Sequence, residues 1–293
     1  MEVANSARPY GAPSFAISDG LSIAYVQAGS GAPLIFLHGV GSTKEIWHKQ
    51  FGPLSTAFHC IAFDYRGYGE SQLPPPEALR EDTCVAESIS RTAFARDCFA
   101  VMDACGVDSA HLCGCSLGGV VELECYSQAS QRVRSLTLVD SFAWYPHGLE
   151  TIEERIRTLI ELGMENFART RCRGVLGPHA PLPSVEHVRQ QMASIPLAVY
   201  AAATRATWTG DYRDLLPRIS KPTLVMWGEC DTVIAPRELS EELVANIPTA
   251  EPLVVVPDAG HLPNLDNPEF FNAALSAFLK RHDSGGGEPQ PLH

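Results

Sequence analysis

The strongest limit on what this chain can fold into is a set of short apolar runs that end at Gly or Asp. They are "PLIFLHG" (33–39), "HCIAFD" (59–64), "AHLCG" (110–114), "RSLTLVD" (134–140), "PTLVMWG" (222–228) and "EPLVVVPDAG" (251–260). Continuous apolar runs of this length are what strands buried on both faces require. An alternating run, "LSIAYVQAG" (21–29), precedes them. Between them lie "ISRTAFARDCFAVMDACGV", "LGGVVELECYSQAS", "PRELSEELVANI" and "PEFFNAALSAFLKRH", whose apolar residues keep a helical period. Strand and helix in alternation predict an α/β protein with a mostly parallel central sheet and helices on both faces. Functional residues are then expected beyond the C-terminal ends of the strands.

The rhythm breaks once. From Phe142 to Trp208 no buried strand is evident, and helix-like stretches are joined by the Pro-rich "GPHAPLPS". This predicts a helical cap (142–208) inserted between a first core part (1–141) and a second (209–281), followed by a polar tail (282–293) expected to be disordered. The formal net charge is -12, and no basic stripe is present, which argues against a nucleic-acid partner and an anionic membrane surface. No run of about 18 apolar residues predicts a membrane span, and the first residues carry no secretory h-region. The cysteines number 9, an odd count without C-x-x-C, and several sit in apolar runs. That pattern fits free thiols in a reducing, cytoplasmic compartment.

One short stretch carries most of the chemistry. Gly114-Cys115-Ser116-Leu117-Gly118 matches G-x-S-x-G between a predicted strand and a predicted helix. The glycines permit a tight turn, which puts Ser116 at its apex and leaves Cys115 one position short as a packing or pocket-wall residue. His38-Gly39-Val40 follows another strand; the N–H groups of Val40 and Leu117 are candidates for an oxyanion hole, with His38 shaping the loop. His261, after the last strand, stands where the base is expected, in the order Ser, acid, His. Two acids are candidates to orient it: Asp231 in "GECD", which is preferred, and Asp140 at the end of "LTLVD". Asp64 and Arg66 are expected to brace the loop "FDYRGYGES" by pairing with one another or with backbone, and Asp258 to hold the loop before His261. Neither a phosphate loop nor G-x-G-x-x-G is present, and neither is H-E-x-x-H, so no cofactor and no metal are expected.

"LHGVG", "DYRGYGES", "GCSLGG", "GECD" and "AGHLPNLDNPEFF", in this order, resemble the α/β-hydrolase fold enzymes over residues 20–281. The resemblance implies a nucleophilic Ser116, an acid at Asp231 and a base at His261. A narrower likeness, carried by "AHLCGCSLGGVVELECYSQASQRVRSLTLVDSF" and "IWHKQ", is to 3-oxoadipate enol-lactonases and related small ester hydrolases. It implies cleavage of a small carboxylic ester or lactone. Carbon–carbon bond hydrolases of ring-cleavage acids are the alternative; cofactor-free peroxidases and a non-catalytic binding protein on the same fold stand further off. The expected partner is a small-molecule substrate, with the chain a monomer or small homo-oligomer. Phe142, Trp144, Tyr145 and Trp208, with His38 and Cys115, are candidates to line its pocket, and one of the cap arginines (Arg169, Arg171, Arg173, Arg205) to meet a substrate carboxylate.

Overall fold

The computed structural model describes residues 10–75 and 88–283; Cys84 and residues 284–293 of the expected tail lie outside them. Eight strands form one sheet: β1 (Ser14–Ser18), β2 (Leu21–Ala28), β3 (Ala32–Leu37), β4 (Phe58–Phe63), β5 (Ala110–Cys115), β6 (Val133–Val139), β7 (Thr223–Gly228) and β8 (Val254–Val256). Their order is β1-β2-β4-β3-β5-β6-β7-β8. Only β1 against β2 and β2 against β4 are antiparallel; every later pairing is parallel.

Period-two alternation splits each central strand between two cores. Leu34, Phe36, Cys60, Ala62, Leu224 and Met226 face one side, where they meet Phe51 of α1 (His48–Leu54) and Phe271, Leu275 and Phe278 of α9 (Pro268–Asp283). Ile35, Leu37, Ile61, Phe63 and Val225 face the other, against Phe94 and Cys98 of α2 (Arg91–Ala104) and Val120 and Val121 of α3 (Leu117–Ala129). Burial on both faces is why these strands read as unbroken apolar runs. β1 escapes the pattern: Phe15 and Ile17 point outward and the small Ala16 and Ser18 are buried.

Between β6 and β7 lie α4 (Gly148–Arg171), α5 (Leu182–Ser194) and α6 (Leu197–Trp208). α4 is broken at Gly163, which takes φ 68°. The stretch "SVEHVRQQMASIPLAVYAAATRATW" forms two helices, because Pro196 forces Ile195 into extended backbone (φ -77°, ψ 129°). The inserted segment enters and leaves at a narrow neck, where Trp144 bridges Asp211 and Tyr212 N–H donates to Ala143 O at 2.9 Å. It is tied to the loop after β3 by Gln191, whose Oε1 accepts from Thr43 N at 2.9 Å. α7 (Arg237–Asn246) flanks β7, and the single turn α8 (Pro263–Asp266) precedes α9. Among the described residues no helix is long and apolar enough to cross a membrane.

Candidate active site

The chain leaves β3 to pair β4 on one side and β5 on the other. Such a reversal opens a crevice at the C-terminal strand ends. β5 ends there on Ser116, held at φ 57° and ψ -117°, a conformation that costs a non-glycine residue free energy and needs enforcement by its surroundings. Ser116 N–H donates to Val139 O at 2.9 Å and Ser116 O accepts from Ser141 Oγ at 2.8 Å. Glycine supplies the rest: a Cβ at Gly118 would collide with the carbonyl of Leu37, and one at Gly114 with the backbone of Gly118. α3 therefore starts pressed against the end of β3, with Leu117 N–H in its first turn.

Across the crevice, the His38 imidazole is buried. It donates from Nδ1 to Gly39 O at 2.9 Å and accepts at Nε2 from Tyr65 N at 3.3 Å. Those two bonds fix the neutral tautomer. Burial, outweighing the nearby Asp64 carboxylate, lowers its pKa to about 4. His38 thus shapes the Gly39-Val40 turn and does not line the cleft. No hydrogen bond among the described residues occupies the Val40 or Leu117 N–H.

His261 Nδ1 lies 2.6 Å from Asp231 Oδ2. Asp231 also accepts from Ile234 N at 3.1 Å and Ala235 N at 3.2 Å. Burial alone would raise its pKa; the imidazole and those two N–H groups outweigh burial and hold it below the usual carboxylate range. Asp140 is placed differently. Its carboxyl accepts from Gly228 N at 2.9 and 3.2 Å. Burial and then the charge of Asp231 push its pKa well up. One atom each from Asp140, Asp231 and His261 falls within 4.8 Å of the others, a donor set that could suit a cation. These donors already serve one another and the backbone, which is the bonding of a hydrogen-bonded relay. Cys115 is also accounted for: its Sγ donates to His261 O at 3.3 Å. Burial, then the charges of Asp140 and Asp231, raise its pKa well above the ordinary thiol value. A thiol so held stays protonated and is a poor nucleophile.

Ser116 and His261 line one cleft of about 440 Å³, including the part open to solvent. Val40 and Trp208 line it too, as do Arg155, Val188, Met192, Tyr200 and Ile234. Among the described residues no hydrogen bond joins Ser116 Oγ to the His261 ring; such bonds are often loose without substrate. Three of the expected aromatic residues lie elsewhere. Phe142 and Tyr145 pack behind Trp208, with ring centroids 6.1 and 6.0 Å from it, and Trp144 lies under the Arg213 guanidinium at 4.3 Å. Arg155 was not anticipated, although it interrupts the apolar stripe Ile152, Ile156, Leu159 of α4.

The bracing residues meet expectation in part: Asp64 accepts from the backbone N–H of Glu70 at 3.0 Å and of Lys44 at 2.8 Å. Asp64 pairs with Lys44 Nζ at 2.7 Å, and Arg66 pairs with Asp97 at 2.6 Å and Asp19 at 2.9 Å. They do not pair with one another, although both do hold the loop. The His261 loop is braced by Asp266, which accepts from Gly260 N at 2.9 Å and Gly177 N at 2.7 Å; the preceding Asp258 contributes its N–H, donated to Glu229 at 3.2 Å.

Comparison with known proteins agrees with this architecture. 3-Oxoadipate enol-lactonase 1 of Acinetobacter baylyi is 26% identical over 249 residues, 84% of this chain and 88% of that protein. A thermophilic esterase from Thermogutta terrifontis superposes with a TM-score of 0.82 at 27% identity, covering 94% of this chain and 100% of that one. A hydrolase from Pseudomonas aeruginosa gives 0.81 at 31% identity, covering 92% and 98%. The profile of the alpha/beta hydrolase fold matches residues 32–268, well over half of the chain. A reversed strand order at β3, a serine forced into a strained turn and this profile lead to one conclusion: the chain belongs to the α/β-hydrolase fold family and is a hydrolase.

Proposed function

We propose that the protein is a serine hydrolase that cleaves a small carboxylic ester or lactone through an acyl-enzyme on Ser116. The observation that carries this reading is the arrangement of one cleft: a serine strained toward it, and an imidazole whose far nitrogen is bonded to a carboxylate. In this cycle His261 Nε2 takes the Ser116 proton as Oγ attacks the carbonyl carbon. Asp231, kept ionised, holds the ring with Nδ1 protonated and Nε2 free to accept, and then stabilises the imidazolium. The Val40 and Leu117 N–H groups receive the oxyanion; one such donor is worth about 3 kcal/mol. Protonated His261 hands its proton to the leaving alcohol or enol. Water, deprotonated by the same ring, then frees the acid product and Ser116. The helices of residues 142–208 act as a cap that selects substrate.

The likeness to an enol-lactonase at 26% identity supports a reading of ester or lactone cleavage. The test is turnover of short 4-nitrophenyl esters and small lactones. Ser116→Ala is expected to lose at least about a thousandfold in kcat with its fold intact. Cys115→Ala is expected to stay within about tenfold of the parent, because the thiol is protonated and aimed at a backbone carbonyl. Undiminished turnover in Ser116→Ala rejects the reading. Activity confined to vinylogous diketone acids moves it to carbon–carbon cleavage.

A further inference from the structure

Arg155 and Arg171 lie on the two halves of α4, on the face that carries Ile152, Ile156 and Leu159 and then Phe167 and Ala168. In each, Nε is buried and has no hydrogen-bond acceptor. Among the described residues neither guanidinium forms an ion pair. Three other cap arginines are served: Arg169 by Glu165, Arg189 by Glu165 and Glu186, and Arg173 by the carbonyls of Pro178 and Ala180. The partner the structure gives Arg155 is the face of Trp208, with Cζ 4.7 Å from the ring centroid. Arg155 and Trp208 both line the cleft that holds Ser116 and His261. Arg171 stands behind; burial, and next the like charge of Arg155, lower its pKa.

Cations taken from water without a counter-ion are costly. In a chain of net charge -12, acidic partners are plentiful, yet none sits here. The deficit is of one kind, a missing anion, and it opens onto the reacting centre. The neighbouring lining, Val175, Val188, Met192 and Ile234, suits a short hydrocarbon chain. A carboxylate at the end of such a chain matches the planar guanidinium fork.

We propose that Arg155, backed by Arg171, is a carboxylate-binding subsite, so that the ester or lactone opened at Ser116 carries a second, ionised carboxylate. This rests on the serine-hydrolase reading and adds the substrate's charge to it. Arg155 contacts the carboxylate; Arg171 raises the local positive potential.

The experiment compares two esters of one chain length, mono-4-nitrophenyl glutarate and its methyl-masked form, methyl 4-nitrophenyl glutarate. The parent is expected to favour the anionic ester in kcat/KM by about 30-fold or more. That ratio should fall toward one in Arg155→Gln and by a smaller factor in Arg171→Gln. It should hold in Arg157→Gln, which makes the same charge change on the exposed face of α4. Free glutarate should also raise Tm in the parent and not in Arg155→Gln. A ratio at or below one in the parent, or one untouched by Arg155→Gln, overturns the subsite while the masked ester still reports a working hydrolase. If neither ester is cleaved, the hydrolase reading fails, and the glutarate shift in Tm judges the subsite alone: its loss in Arg155→Gln supports it, its absence in the parent overturns it.

Discussion

Two carboxyl groups beside one imidazole are shifted in opposite directions, and their neighbours explain why. Asp231 has His261 and two backbone N–H groups to stabilise its charge. Asp140 has one N–H and, facing it, the charge of Asp231. Like charges so close oppose one another's ionisation, which favours a proton on Asp140 over one on Asp231. A neutral Asp140 can donate to Asp231 and steady it. Asp231→Asn is therefore expected to cut kcat by about 1,000-fold or more, since the ring loses its tautomer control. Asp140→Asn, which keeps a donor, should cost about tenfold or less, and Asp140→Ala more. Steady-state kinetics on the three variants checks the order; loss of turnover in Asp140→Asn with Asp231→Asn active would reverse the assignment. The sequence offered both acids because each ends a strand. Preference for Asp231 came from its short loop, whereas the hydrogen bond that separates the two requires the fold.

The strand–turn–helix from Ala110 to Ala129 shows how packing enforces a strained residue. Gly118 lets α3 touch the end of β3, so Gly118→Ala must part helix and strand. A loss of about 2 kcal/mol or more is expected, read as a lower urea midpoint with an unchanged slope. This element was legible in the sequence because its spacing is tied to its geometry. The central strands were legible because both their faces are buried. β1 was not: it buries Ala16 and exposes Phe15 and Ile17, against the usual sense of the alternation. The cleft wall was least legible. Trp208 reaches it, but Phe142, Trp144 and Tyr145 stand in the same stretch of sequence and pack elsewhere. Arg155 reaches it too and is not among the four cap arginines singled out from the sequence. Side chains that converge from separate helices leave no common spacing to read.

Across the whole molecule, buried titratable groups make stability depend on pH, and His38 gives the plainest case. Its pKa is 6.5 when unperturbed and about 4 in the fold. Between these values the unfolded chain binds a proton that the folded chain refuses. The stability that a neutral His38 supports is thus present above about pH 6.5 and lost as pH falls toward 4, by up to about 3 kcal/mol. Asp140 acts in the opposite sense, because a raised carboxyl pKa penalises the fold as pH rises above 3.8. The total slope therefore mixes signs, and the useful measure is a difference. His38→Gln is expected to lose less stability than the parent between pH 7 and 4 in urea titrations; parallel curves would show that folding leaves the His38 pKa unshifted. The neck of the inserted segment bears on a different matter. Trp144 and Asp211 are bridged neighbours, so everything between them is a loop with joined ends. The register of β6 and β7 meets the same pair of attachment points whatever the loop contains, and lengthening a closed loop adds little entropy cost. Helices can be exchanged there as a cassette so long as Gly177 still meets Asp266 and Gly260 at the His261 loop. Variation in this molecule is cheapest in the part that lies over the chemistry.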